Sequence, residues 1–377
     1  MRILQLTSHL DVGGITTYVV GLSEALAARG HDVTVVSGGG ASVDRLTSRG
    51  IAHWRLPLRT SAEFSPQIAW AAWRLGRALA ARRVDVIHAH TRVAQVTAHL
   101  LWTTHRIPYV TTWHGFYRPR WSRRWWPCTG EATIAISEPV ARHLRDAFAV
   151  PRERIRLIPH GVDVARFAQP PDAGEQARFR ERVTLPSANG PVIGTVARLV
   201  PSKGVDQLLE GFRDLRSTHP AAVLVIIGDG PQRAALERLA ARLGVASSVR
   251  FAGTIPDTRA ALAVMDLFVF LPATREGFGL SLLEAMASGK PIVSIRRGGG
   301  ASWVLEDSRV GVMVEPRPSD GRVAPQQLAR AMARVLDDSA QARQLGARAE
   351  ETASARYDAA RMIEAVEAVY REVVRVP

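Results

Sequence analysis

At 377 residues, with 46% apolar and 22% charged residues, the chain is long enough for two domains with separate cores and too apolar for intrinsic disorder. No apolar run approaches the ~18 residues of a membrane span, and the single cysteine, Cys128, excludes an internal disulfide and fits a reducing compartment. The formal net charge of +14 fits an anionic partner, whether nucleic acid, a membrane surface or a phosphorylated ligand, but only Lys203 and Lys290 of the 49 basic residues are lysines, which equally marks an arginine-rich composition.

Short apolar runs alternate with amphipathic stretches, the pattern of a parallel α/β protein. Strands are expected at Met1–Thr7, Asp32–Ser37, Val84–Ala89, Tyr109–Trp113, Thr133–Ser137 and Ile155–Ile158, with helices at Ile15–Arg29, Pro66–Arg82, Arg92–His105 and Pro139–Phe148. The opening run carries one charge and is too short for a signal peptide, so a cytoplasmic location is expected. A polar stretch with Pro and Gly, Ala168–Gly190, reads as a linker. The alternation then restarts, with strands at Val192–Ala197, Ala222–Ile227, Val249–Ala252, Leu267–Leu271 and Pro291–Ile295. Helices fall at Val205–Thr218, Pro231–Leu243, Leu280–Ser288, Pro325–Leu336 and Tyr357–Val374. The expected fold is therefore two doubly wound, Rossmann-like domains facing each other across a cleft, with ligands beyond the carboxyl ends of the strands.

The candidate site residues lie at strand ends. Gly13 and Gly14 follow the first strand, where glycine permits close backbone approach and a helix N-terminus favours an anion; a purely geometric turn is the plainer alternative. His114 follows Tyr109–Trp113, and Pro159-His160-Gly161-Val162-Asp163 closes the first half, with Asp163 as a helix cap. In the second half, Arg198 and Lys203 stand five residues apart on a bent segment, two cations suited to a diphosphate and to the charge on a departing nucleotide. The run Glu276-Gly277-Phe278-Gly279-Leu280-Ser281-Leu282-Leu283-Glu284 places one carboxylate before a helix start and another a turn inside it. Backbone N–H groups from Gly279 onward would point at an anion, and Glu284 could accept both hydroxyls of a ribose.

These residues, with Trp113-His114-Gly115, Gly228-Asp229-Gly230-Pro231 and Phe251-Ala252-Gly253, resemble the retaining glycosyltransferases of family 4, which have the two-domain GT-B architecture. The resemblance spans essentially the whole chain. It implies an N-terminal acceptor-side domain over residues 1–170, a nucleotide-sugar domain over 171–356, and a final helix from Tyr357 that crosses back onto the first domain. It implies diphosphate contacts from Arg198 and Lys203, a ribose contact from Glu284, and donor contacts from Glu276, Gly277, Phe278, Gly279 and Leu280. It further implies a base pocket at Ile255, His114 beside the sugar's C6, and Gly13 and Gly14 approaching the phosphate as the domains close. Catalysis would rest on Glu276, His114, Arg198 and Lys203, with retention of the anomeric configuration. One departure stands out: Ser302 occupies the place where the family often has a glutamate after paired glycines. No Asp-x-Asp pair occurs to carry a divalent metal, so neither metal nor cofactor is expected.

The segment 116–129 interleaves Arg118, Arg120, Arg123 and Arg124 with Trp121, Trp125 and Trp126. That mixture suits an acceptor bearing phosphate or sugar, or an anionic membrane at whose inner face the protein would sit peripherally, and it equally suits a small satellite core. Related bacterial proteins with such a loop build cell-surface polysaccharide or lipopolysaccharide, which makes a glycan or lipid-linked acceptor and a UDP-hexose donor, with GDP as second choice, the expectation. The alternatives are a sugar-nucleotide epimerase of the same architecture and, on charge alone, a nucleic-acid-binding protein.

Overall fold

The computed structural model describes residues 1–11, 13–60, 62–80, 82–185, 190–308 and 310–375. Val12, Ala81 and the end of the expected linker at 186–189 lie outside the described residues. The chain divides into two units, Met1–His160 with Ala360–Pro377, and Gly161–Ala359. The boundary expected at 170/171 falls inside the second unit, whose first residue is Gly161.

The first unit runs β1 (Arg2–Leu6), α1 (Gly14–Ala28), β2 (Asp32–Ser37), α2 (Val43–Thr47), β3 (Ala52–Arg55), α3 (Pro66–Ala80), β4 (Val86–Ala89), α4 (Arg92–His105), β5 (Tyr109–Trp113), α5 (Trp121–Trp125), β6 (Ala132–Ala135), α6 (Glu138–Phe148) and β7 (Ile155–Leu157). Its sheet has the order β3-β2-β1-β4-β5-β6-β7, and every pairing is parallel. The central strands β4, β5 and β6 are buried at every residue, so they show no alternation of buried and exposed positions, and their Thr and His side chains are buried with the apolar ones. Leu4, Leu6, Ile87 and Ala89 meet Ile68 and Leu75 of α3 and Val93 and Leu101 of α4 in one core.

The second unit runs α7 (Val164–Ala168), α8 (Ala173–Arg182), β8 (Val192–Val196), α9 (Val205–Leu215), β9 (Val223–Ile227), α10 (Arg233–Arg242), β10 (Val249–Gly253), α11 (Arg259–Ala263), β11 (Leu267–Phe270), α12 (Leu280–Ala287), β12 (Ile292–Ile295), α13 (Gly300–Ser308), β13 (Gly311–Val314), α14 (Pro325–Asp337) and α15 (Ser339–Arg356). The sheet order is β10-β9-β8-β11-β12-β13, again parallel. Leu208, Leu209 and Phe212 of α9 and Leu328 and Met332 of α14 close one face of it. In each sheet the order reverses once, between β1 and β4 and between β8 and β11. A crevice opens at the carboxyl ends of the strands at such a reversal.

The stretch expected as linker contains α8, started by Asp172, whose carboxylate accepts from the Glu175 amide at 2.8 Å, and pinned by buried Phe179. Asp163 caps α7 by accepting from the Arg166 amide at 3.1 Å. The last helix, α16 (Ala359–Arg375), belongs to the first unit from Ala360. Val366 and Tyr370 are fully buried, and Glu367 accepts from Arg29 at 3.0 Å and pairs with His31 at 2.7 Å.

Candidate active site

In the second unit the reversal point gathers the charged residues. Arg198 follows β8 with its side chain exposed, and Lys203 sits in a short 3-10 turn ahead of α9. The segment after β11 brings Glu276 to Lys203, with Nζ 2.5 Å from Oε2 and both side chains about three-quarters buried. The next loop steadies Glu276: its carbonyl accepts from the Gly300 amide at 2.8 Å, and it forms an isolated parallel bridge with Gly299. Ser302, which stands where the resembled family often has a glutamate, is buried. Its hydroxyl accepts from the Arg297 amide at 3.1 Å and donates to the Ile295 carbonyl at 3.4 Å. It therefore holds the loop that supports Glu276.

Gly279 caps α12 with φ +106°, a conformation closed to most L residues, and a Cβ there would lie 2.8 Å from the Phe270 ring. This bend turns the chain from Glu276 into a helix whose first N–H groups are unpaired, an anion-binding end. Phe278 was expected at the donor, but its side chain is 2% exposed and packs on Trp303 and Tyr357, so only its backbone is available to a ligand. Glu284 lies one turn into α12 and accepts from the Thr258 hydroxyl at 2.9 Å. Burial pushes its carboxyl up to about 7; the Thr258 bond opposes this, nearby Asp257 adds to it, and Arg166 opposes it. Asp257 itself stays ionised: burial raises it, but hydrogen bonds from Arg259 and Arg166 lower it further. Ile255 lies partly exposed in the loop between β10 and α11, three residues before Thr258.

In the first unit, Gly13 precedes α1 in extended conformation, and a Cβ there would meet nothing within 4 Å. The fold alone does not require glycine at this position, so the open space is available to a ligand. His114, after β5, is one of four histidines packed at the carboxyl ends of β4, β5 and β7. Its Nε2 is 3.3 Å from His90 Nδ1, and its Nδ1 is 3.4 Å from His160 Nε2. Tyr18 of α1 stands edge-on to His90, His114 and His160, with ring centroids 4.7–5.6 Å apart. Burial holds His88, His90 and His114 well below the usual imidazole range and His160 down to about 3. Sequence reasoning missed His90, Gln5 and Tyr18. The one available signal was His88-Ala89-His90, two histidines carried over a strand end.

The basic aromatic loop splits in two. Arg123 and Trp126 are anchors rather than surface. Arg123 pairs with buried Glu63, which Arg92 also binds at 3.0 Å, and Trp126 stacks on Phe64 with centroids 6.1 Å apart. Arg118, Arg120, Trp121, Arg124 and Trp125 are exposed, the two tryptophans at 77%. Phe64, at 67%, continues this surface toward α3, which exposes Trp70 and Trp73 with Arg74 and Arg77 lying over their rings at 5.2 Å. From Phe64 to Trp126 the sequence holds ten arginines and one acid, Asp85.

Residues 12–166 match the model of Glycosyltransferase Family 4, and residues 177–352 match that of Glycosyl transferases group 1. A D-inositol 3-phosphate glycosyltransferase of Acidothermus cellulolyticus is 30% identical over 369 residues, covering 87% of this chain and 79% of the relative. The chain belongs to glycosyltransferase family 4. A GDP-mannose-dependent alpha-(1-6)-phosphatidylinositol monomannoside mannosyltransferase of Mycolicibacterium smegmatis is 40% identical over 187 residues, which is 47% of this family 4 chain and 48% of the relative. The chain thus spans about half of that relative's length. Among solved structures, a glycosyltransferase of Rickettsia africae superposes with a TM-score of 0.85 at 20% identity, covering 100% of this chain and 99% of its own. The Anabaena protein HepE, solved with UDP-glucose, gives 0.83 at 22% identity over 98% and 100%. These likenesses establish the GT-B fold.

Proposed function

We propose that this family 4 protein transfers a hexose from a nucleoside diphosphate sugar to a glycan or lipid-linked acceptor of the cell envelope, with retention at the anomeric carbon. The observation that carries the reading is the meeting of Lys203 and Glu276 at the reversal point of the second sheet, with Arg198 exposed beside them in sequence and Glu284 one turn into the helix beyond. Arg198 and Lys203 neutralise the diphosphate and the charge that builds on it as the sugar departs. Glu284 and Thr258 receive the ribose, and Ile255 borders the base. With two side-chain cations and a helix terminus on the phosphates, the reaction needs no divalent metal and proceeds in EDTA.

UDP is the donor nucleotide of this proposal and GDP its second reading, which the GDP-mannose dependence of the mycobacterial relative supports. The exposed Trp and Arg of α3 and of the loop 118–125 fit the interface of an anionic membrane, where aromatic rings sit among headgroups and arginines face phosphate. A lipid-linked acceptor would then be met at the inner face of the membrane. Incubation with UDP- and GDP-hexoses and a lipid extract, followed by NMR of the new linkage, tests the reading. A product of the donor's anomeric configuration is expected, and an inverted anomer would refute retention.

A further inference from the structure

Gln5 of β1 is fully buried, and its amide joins two arms of a hydrogen-bonded string within the first unit. Its Nε2 donates to the Tyr370 hydroxyl at 3.2 Å, and its Oε1 lies 2.6 Å from His90 Nε2. A carbonyl oxygen can only accept, so His90 carries its proton on Nε2 and offers a lone pair at Nδ1. His114 Nε2, 3.3 Å from that lone pair, must donate, which leaves its own Nδ1 to accept from His160 Nε2 at 3.4 Å. On the other arm the Tyr370 hydroxyl accepts from Gln5 and gives its proton to His88 Nδ1 at 2.6 Å, so His88 Nε2 donates to Thr112 at 2.7 Å. One amide orientation therefore fixes the tautomer of four rings, and turning that amide over would invert every one of them.

Among the described residues, the groups that touch the string from α1, β1, β4, β5 and α16 are Tyr18, Gln5, Thr112, Tyr370 and the histidines themselves, none of them a carboxylate or a guanidinium. The carboxylate acting on Tyr370, that of Glu367, is held by Arg29 and His31. Nothing in this set stabilises an imidazolium, and burial opposes one at each ring.

We propose that Gln5 is a positioning residue for sugar transfer, locking His114 through His90 as a neutral Nε2–H tautomer with both ring nitrogens engaged. His114 then acts as a fixed, uncharged wall and not as a proton donor or acceptor. On the role that the family resemblance implies for His114, beside the donor sugar, an uncharged ring matters because an imidazolium would oppose the positive charge that the sugar develops as its bond to phosphate breaks. This catalytic consequence rests on the transferase reading above; the tautomer assignment does not.

Long-range ¹H–¹⁵N correlation of the imidazoles in the free protein reads the tautomers directly. His88, His90, His114 and His160 are each expected as Nε2–H, without titration between pH 5.5 and 8.5. An Nδ1–H ring at His114, or its titration near the ordinary imidazole value, would overturn the proposal. Gln5→Glu puts a carboxylate beside His90 and invites an imidazolium, so turnover at pH 6 should fall roughly tenfold below that at pH 8.5, against less than about twofold in the wild type. Tyr370→Phe keeps the ring but frees the amide to turn, and mixed His90 and His114 tautomers with lower kcat at unchanged KM are expected. Wild-type pH profiles in Gln5→Glu, or a single tautomer set in Tyr370→Phe, would contradict Gln5's role. If the tautomers are as assigned and no nucleotide sugar is turned over, the transferase reading fails and the string stands.

Discussion

Lys203 Nζ lies 2.5 Å from Glu276 Oε2, so the cation expected to hold a diphosphate is neutralised by the carboxylate expected beside the sugar. A donor must therefore compete with Glu276 for Lys203, or share it. The ion pair is only partly exposed, which makes its coupling stronger than that of a surface pair. Glu276→Gln should free Lys203 and tighten binding of the bare nucleoside diphosphate by roughly two- to tenfold while slowing transfer. Calorimetric titration checks this, and weaker diphosphate binding in the variant would count against it.

Arg198 and Lys203 should matter more in the transition state than in the ground state, because charge grows on the leaving phosphate as the bond breaks. Loss of a preorganised charge-stabilising group costs ~10²–10³ in kcat, about 3–4 kcal/mol. Lys203→Ala and Arg198→Ala should accordingly depress kcat more than they raise KM. Steady-state kinetics with full kcat in Lys203→Ala would remove it from the leaving-group role.

Glu284 gives the site a pH dependence whose sign can be worked out. Its folded-state carboxyl is raised to about 7 from an ordinary value of 4.5, so the folded protein loses stability as pH climbs between these values. Glu284→Gln should remove that penalty and raise stability at pH 8 by about 1–3 kcal/mol. The same ionisation favours ribose, whose two hydroxyls need a carboxylate to accept them. Nucleotide affinity in the wild type should then weaken as pH falls below 7 and be flat with pH in Glu284→Gln. Denaturant melts and titrations at pH 5.5 and 8 check both halves.

Membrane attachment through α3 and the loop 118–125 predicts co-sedimentation with phosphatidylglycerol vesicles and none with neutral phosphatidylcholine. The double variant Trp70→Ser/Trp73→Ser should lose most of this binding, as should Trp121→Ser/Trp125→Ser, with nucleotide affinity untouched. Equal binding to both lipids, or no loss in either variant, would assign these exposed tryptophans to another partner.

Most strands and the strongly amphipathic helices were legible in sequence because hydrophobic runs and glycine turns record them directly, whereas α15, 18 residues long, was not, since it buries only the small residues Gly346, Ala349 and Ala353. Edge strands β3 and β13 were not, since AHWR and GVMV are four residues each and lack a buried pattern. Helix α8 was hidden by its polar composition; it relies on a cap and one phenylalanine. At the site, Glu276 and Glu284 could be singled out because their spacing around a glycine bend is distinctive, and Lys203 because it follows Arg198 by five residues on a bent segment after a strand. Sequence does not say which way a side chain in a glycine-rich turn points, and the Phe278 side chain is buried, which leaves its backbone for the expected donor contact. For the loop 116–129 the sequence left a surface role and a small satellite core open alike, because Arg123 looks like its exposed neighbours until its partner, Glu63, sixty residues away in sequence, is seen. The histidine string was invisible for the same cause, since Gln5, His90, His114, His160 and Tyr370 come from five elements or their ends.

The central claim is that the second unit binds a nucleoside diphosphate through Glu284 and the Lys203–Glu276 pair. Calorimetric titration of wild type and Glu284→Ala with UDP, GDP and their hexose conjugates tests it most directly. The account predicts that at least one nucleotide binds the wild type and that Glu284→Ala weakens it by at least about tenfold, the ~1.4 kcal/mol or more expected for lost hydrogen bonds to a charged group. Equal affinity in the two proteins, or no binding of any nucleotide, would contradict it.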